Sequence, residues 1–103
     1  CWDMPNYLTL SALSTLMKSI AHRARPRAVA HALNYYAERD MREHPGRFVP
    51  TANGDELIDY STSNTAIPAP RYSPEDLDKG MGPFALDRAR LLSNGMQEFL
   101  FRL

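Results

Sequence analysis

Residues 25–36 read Arg-Pro-Arg-Ala-Val-Ala-His-Ala-Leu-Asn-Tyr-Tyr, an apolar run led in by a proline and closed by two tyrosines. As a strand it is small and apolar on both faces, the pattern of a sheet covered on both sides. As a helix it is equally regular. Val29, Ala32, Leu33, Tyr36 and Ala37 fall at helical spacing, Pro26 suits a first turn, and Gly46 supplies a stop. Periodicity does not choose, and the two choices give different proteins.

Working outward, Leu8 to His22 places Leu10, Leu13, Leu16, Met17 and Ile20 on one helical face, with Thr9 or Ser11 as cap. Lys18, His22, Arg23 and Arg25 cluster toward its far end, where cations complement the helix dipole, so the basic cluster has a structural account. Before it, Cys1 to Tyr7 is a short aromatic piece broken by Pro5 and reads as a strand end entering a loop. After the central stretch, residues 37–49 are charged and end in a His-Pro-Gly turn signal. Asn53-Gly54-Asp55 is a tight-turn signal ahead of a short strand-like segment at 56–60, and Ser61 to Ala69 reads as an extended surface loop. Ser73-Pro74-Glu75-Asp76 opens a short helix with cap, first-turn proline and two acids, closed by Gly80 and Gly82. Phe84 to Leu103 is either a helix stopped at Asn94-Gly95 or a hairpin turning there, with Phe99 and Phe101 on one face of the second arm.

A chain of 103 residues with 44% hydrophobic and 23% charged residues is one globular domain or part of one. Twelve basic and twelve acidic side chains give zero formal charge, which argues against a nucleic-acid partner or an anionic membrane surface. No apolar run approaches the roughly 20 residues that span a bilayer. The single cysteine, Cys1, leaves no intrachain disulfide, which fits a reducing, cytoplasmic setting. His22, His31 and His44 share no metal-ligand spacing, so no metal site is expected. The opening Cys-Trp-Asp-Met-Pro, with no initiator methionine, suggests a piece of a longer chain.

The succession Cys-Trp-Asp-Met-Pro-Asn-Tyr-Leu (1–8), an amphipathic helix, the run 25–36, Pro-Arg-Tyr-Ser-Pro-Glu-Asp-Leu (70–77) and Leu-Leu-Ser-Asn-Gly-Met-Gln-Glu-Phe-Leu-Phe-Arg (91–102) resembles the C-terminal half of bacterial class I S-adenosylmethionine-dependent methyltransferases. The resemblance covers nearly the whole chain by order of elements, through weakly specific motifs. It implies an α/β fold, the C-terminal portion of a Rossmann-like sheet: helix, parallel strand (26–36), short helix and closing antiparallel hairpin (84–103). It also implies that residues 1–103 form a partial domain. That family holds its cofactor with a glycine-rich turn and an acid on earlier strands. Neither is present, so S-adenosylmethionine is expected only in an intact parent, and the isolated chain is expected to be inactive.

In such a sheet ligands sit beyond the carboxyl ends of strands. Asp-Met-Pro-Asn-Tyr (3–7) resembles the Asp/Asn-Pro-Pro-Tyr motif of amino-group methyltransferases, with asparagine in place of the second proline. The resemblance implies Asp3 as the catalytic acceptor-orienting acid and Trp2, Asn6 and Tyr7 as substrate contacts, with the acceptor an unidentified small molecule. The structural account has Asp3 capping a backbone while Trp2 and Tyr7 pack. Tyr35 and Tyr36 would stand at the mouth of the strand, and Arg71 and Tyr72 would close over a ligand from the loop; each is equally at home as packing. A half-sheet exposes a strand edge and is expected to self-associate. The alternative, which sets the resemblance aside and takes 26–44 and 84–93 as helices, is a small, mostly helical interaction module without catalysis.

Overall fold

The computed structural model describes residues 3–44, 48–59 and 65–103. A 3-10 turn at Met4–Tyr7 (η1) leads into helix α1 (Leu10–Ala21), capped by the Thr9 side chain, which accepts from the Ala12 amide at 3.2 Å. Arg25 to Ala28 make a turn closed by the Ala28 N–H on the Arg25 carbonyl, with Pro26 at one corner and Arg27 at the other in the left-handed region (φ 65°). The central stretch is a strand, β1 (Val29–Tyr35). Short strands β2 (Asp40–Arg42), β3 (Phe48–Pro50), β4 (Leu57–Asp59) and β5 (Ala66–Pro68) follow. Helix α2 (Pro74–Met81) carries a full capping box between Ser73 and Asp76. The chain ends in a hairpin, β6 (Ala85–Leu91) and β7 (Met96–Arg102). Gly95 takes φ 79° at its turn, and the Asn94 carboxamide oxygen accepts from the Met96 amide.

The main sheet has the order β1-β7-β6, and β2 pairs β5 while β3 pairs β4. Every one of these ladders is antiparallel, which overturns the expected Rossmann-like sheet with its parallel strand. The cause is local. The four residues 92–95 reverse the chain at Asn94-Gly95, so β7 runs back along β6 as expected of a hairpin, and β1, the strand expected to be parallel, takes β7 as its partner and is therefore antiparallel too. The mostly helical alternative is also corrected: residues 29–35 and 85–91 are strands, and α1 and α2 are the α-helices among the described residues. Three further readings change. Residues 4–7 are a 3-10 turn instead of a strand end, Asp40–Arg42 adds a strand within the charged segment, and the segment read as a loop at 61–69 contributes β5.

One face of the main sheet is covered. Phe99 and Phe101 from β7 and Ala32 from β1 meet Leu13 and Met17 of α1, Leu77 and Met81 of α2, and Phe84 in one buried cluster. The two phenylalanine rings stack with centroids 5.9 Å apart. Gly80 lets the helices close: a Cβ there would stand 3.1 Å from the Leu13 Cδ2 and 3.2 Å from the Leu10 Cδ2. The apolar stripe of α1 is wider than its cover, since Leu16 and Ile20 remain exposed. The opposite sheet face carries His31, Glu98 and Arg90 from the three strands, bridged at 2.9 and 2.7 Å.

Candidate functional site

The carboxyl end of β1 is where the chain gathers its polar chemistry. Asn34 is an inward position of the strand and is 1% exposed, so its amide must be satisfied internally. Its Oδ1 accepts from the Asn6 Nδ2 at 2.8 Å, and its Nδ2 donates to the Tyr72 carbonyl at 3.0 Å. The Asn6 Nδ2 also donates to the Pro70 carbonyl at 2.6 Å. The Tyr72 hydroxyl crosses to the Leu8 carbonyl at 2.7 Å. These bonds tie η1, β1 and the 70–72 segment, three pieces far apart in sequence, into one rigid corner. The Asn6 Oδ1 has no hydrogen-bond partner although the residue is buried.

Asp3 stands at the cap position of η1 but makes no side-chain cap. Its carboxylate instead faces Tyr35. Burial, then the Asp3 charge, push the Tyr35 phenol above its ordinary value, Arg39 opposes them, and Asp3 adds to the rise as a hydrogen-bond acceptor. Tyr7 is raised in the same way, first by burial and then by Asp3 and Tyr35, with Arg42 opposing. The Arg39 guanidinium lies over the Tyr35 ring at 4.9 Å from its centroid. Asp3 is therefore a carboxylate set among phenols, with arginine charges close by.

On the other side of Tyr35 lies an open cleft of about 350 Å³ lined by Tyr35, Tyr36, Arg71, Tyr72, Ser73, Pro74 and Gln97. Of the residues singled out from sequence, Tyr35, Tyr36, Arg71 and Tyr72 share this cleft. Asp3 and Tyr7 meet Tyr35 beside it, and Asn6 is buried in the network beneath. Trp2 lies outside the described residues. Sequence reasoning missed Asn34, Ser73, Gln97, Arg39 and Arg42. Asn34 had a signal, an amide interrupting an apolar run at an inward position, and Ser73 was read only as a helix cap; Gln97, Arg39 and Arg42 are polar residues with no local pattern to mark them.

The expectation for S-adenosylmethionine turns on a glycine-rich turn between a strand and a helix. Gly54 and Gly95 sit in hairpin turns, Gly80 packs on leucines, and Gly82 ends α2, so among the described residues no glycine leads from a strand into a helix. No group of three or more His, Cys, Asp or Glu side chains converges among the described residues, and no helix there is long and apolar enough to cross a membrane. Comparison with protein-family models, curated proteins and solved structures gave no match.

Proposed function

We propose that this chain is the acceptor-binding portion of an S-adenosylmethionine-dependent methyltransferase, inactive by itself, with the cofactor held by another segment of an intact parent. The observation that supports the reading is the convergence at one end of β1 of an acid, a set of phenols and an open cleft. Asp3 accepts a hydrogen bond from the acceptor and fixes its orientation, and the tyrosine rings supply flat contact. The Asn6–Asn34 bond and the bonds of these two amides to the Pro70 and Tyr72 carbonyls hold η1 and the 70–72 segment on β1 while they do so. When bound, the cofactor supplies the methyl group. The single cysteine is compatible with a reducing, cytoplasmic compartment.

Self-association belongs to the same reading. Val29, Leu33 and Tyr35 turn their backbone N–H and C=O groups away from β7, because the alternate residues 28 and 36 accept from and donate to the far strand. No other described strand takes that edge. Beside it runs an apolar groove that includes Met17, Ile20, Ala24 and Val29. A second copy covers both by two-fold pairing.

Calorimetry with S-adenosylmethionine tests the first part. The chain is expected to show no binding, and micromolar affinity would contradict the reading. In a longer protein carrying the coding sequence upstream of Cys1, binding and methyl transfer are expected together. A longer protein that binds the cofactor but transfers no methyl group to any small molecule would remove the acceptor role.

A further inference from the structure

We infer that the cleft between β1 and the start of α2 is a binding site for a small organic carboxylate with a flat apolar body. That this carboxylate is the methyl acceptor rests on the reading above; that it binds does not. The cleft has the volume of a small-molecule site, about 350 Å³, and is too small for a folded partner. Its polar lining is made of donors. Arg71 contributes an exposed guanidinium that has no ion-pair or hydrogen-bond partner among the described residues. The Ser73 oxygen already accepts from the Asp76 amide at 3.1 Å, which leaves its hydrogen to donate into the cleft. Tyr36 adds an exposed phenol and Gln97 an amide.

No carboxylate lines the cleft. Of the acids close by, Asp76 is turned back on the Ser73 amide at 3.4 Å, and Asp3 is engaged by Tyr35 beside the cleft. A site with one guanidinium, several neutral donors and no acid selects a single negative charge. The planar fork of Arg71 matches a carboxylate in two parallel hydrogen bonds. A phosphate dianion calls for a second cation in the lining, and none is there among the described residues. The rings of Tyr35, Tyr36 and Tyr72 then give the body of the ligand its contact area. The walls are set in advance: the Tyr72 hydroxyl is held on Leu8, its carbonyl on Asn34, and Ser73 in the capping box.

The probe is 4-hydroxyphenylacetate, titrated into the 103-residue chain and followed by amide NMR shifts, with 4-hydroxyphenylacetamide as its neutral isostere and 4-hydroxyphenyl phosphate as the dianion. The carboxylate is expected to move the amides of residues 35, 36, 71–73 and 97 and to bind at least tenfold tighter than the amide. Arg71→Gln is expected to abolish that preference, Arg71→Lys to keep part of it, and Tyr36→Ala to weaken both ligands alike. Unchanged β7 amide shifts show that the variants fold. Equal affinity for acid and amide, tighter binding of the phosphate, shifts confined to other residues, or an Arg71→Gln protein that keeps the preference would each overturn the assignment. The titration contains no cofactor, so a failed methyl-transfer assay leaves its result standing, and a failed titration leaves the transfer reaction to be judged by turnover.

Discussion

Replacing Asn34 by alanine should destabilise the fold by about 2–4 kcal/mol. The change deletes two hydrogen bonds, to Asn6 and to the Tyr72 carbonyl, each worth about 1 kcal/mol net. It also strands the Tyr72 carbonyl in a part-buried place, which adds about 1–2 kcal/mol. Asn6→Ala is the instructive comparison. It removes bonds to Asn34 and to the Pro70 carbonyl, but it also removes the Asn6 Oδ1, a buried acceptor that has no partner. Relieving an unsatisfied acceptor returns about 1–2 kcal/mol, but the change also strands the buried Asn34 Oδ1 and the Pro70 carbonyl, so Asn6→Ala should cost about as much as Asn34→Ala. The double variant should fall short of additivity by about 1 kcal/mol. Urea denaturation reads all three, with Asn34→Ala moving the midpoint down by roughly 1–2 M. An Asn34→Ala protein with an unmoved midpoint would refute the reasoning, because it would mean that the two bonds carry no net stability.

Asp3→Asn should lower the Tyr35 and Tyr7 pKa values toward the ordinary phenol without reaching it, since burial is the larger cause; spectrophotometric tyrosine titration reads this, and an unmoved curve would separate Asp3 from the phenols. Glu98 is held below the usual carboxylate range, first by its hydrogen bond with His31, with the Arg90 and His31 charges helping and burial opposing. A depressed folded value means that the stabilisation is present above the unfolded value, about 4.3, and is lost as pH falls through the folded one, so Glu98→Gln should flatten the acid side of the stability profile. Arg27→Gly should stabilise by about 0.5–1 kcal/mol, because a left-handed backbone strains a side-chain-bearing residue by more than glycine loses in chain entropy; a lower thermal midpoint would count against it. Light scattering on the chain at high concentration should show dimer, and a monomer throughout would remove self-association.

The parts of this fold legible in the sequence are those fixed by neighbours in the chain. Ser73-Pro74-Glu75-Asp76 carries its own cap, and Asn53-Gly54 needs nothing distant to turn. Residues 25–36 were ambiguous because a small apolar run serves helix and strand alike; what makes it a strand is pairing with Met96–Arg102, some sixty residues away. The strand direction was hidden for the same reason, since alternation along one strand says nothing about its neighbour's sense. At the site, aromatic and charged residues could be named, but their grouping around Tyr35 depends on Asn6 and Asn34 meeting across 28 positions. Arg39 and Arg42 were invisible because their roles come from where β2 brings them, and three residues of strand make a faint signal.

The two flanks of the main sheet are not alike. On the β6 side the register breaks between Leu86 and Arg88, the Leu86 N–H is already taken by the Asp78 carboxylate at 2.8 Å, and Arg88 and Arg90 stand exposed. On the β1 side Val29, Leu33 and Tyr35 present regular outward amides beside apolar surface. A strand arriving from elsewhere therefore meets one closed shore and one open landing. A larger sheet containing this one is therefore expected to grow outward from β1 in preference to β6. That preference is set within these residues, whichever polypeptide supplies the next strand.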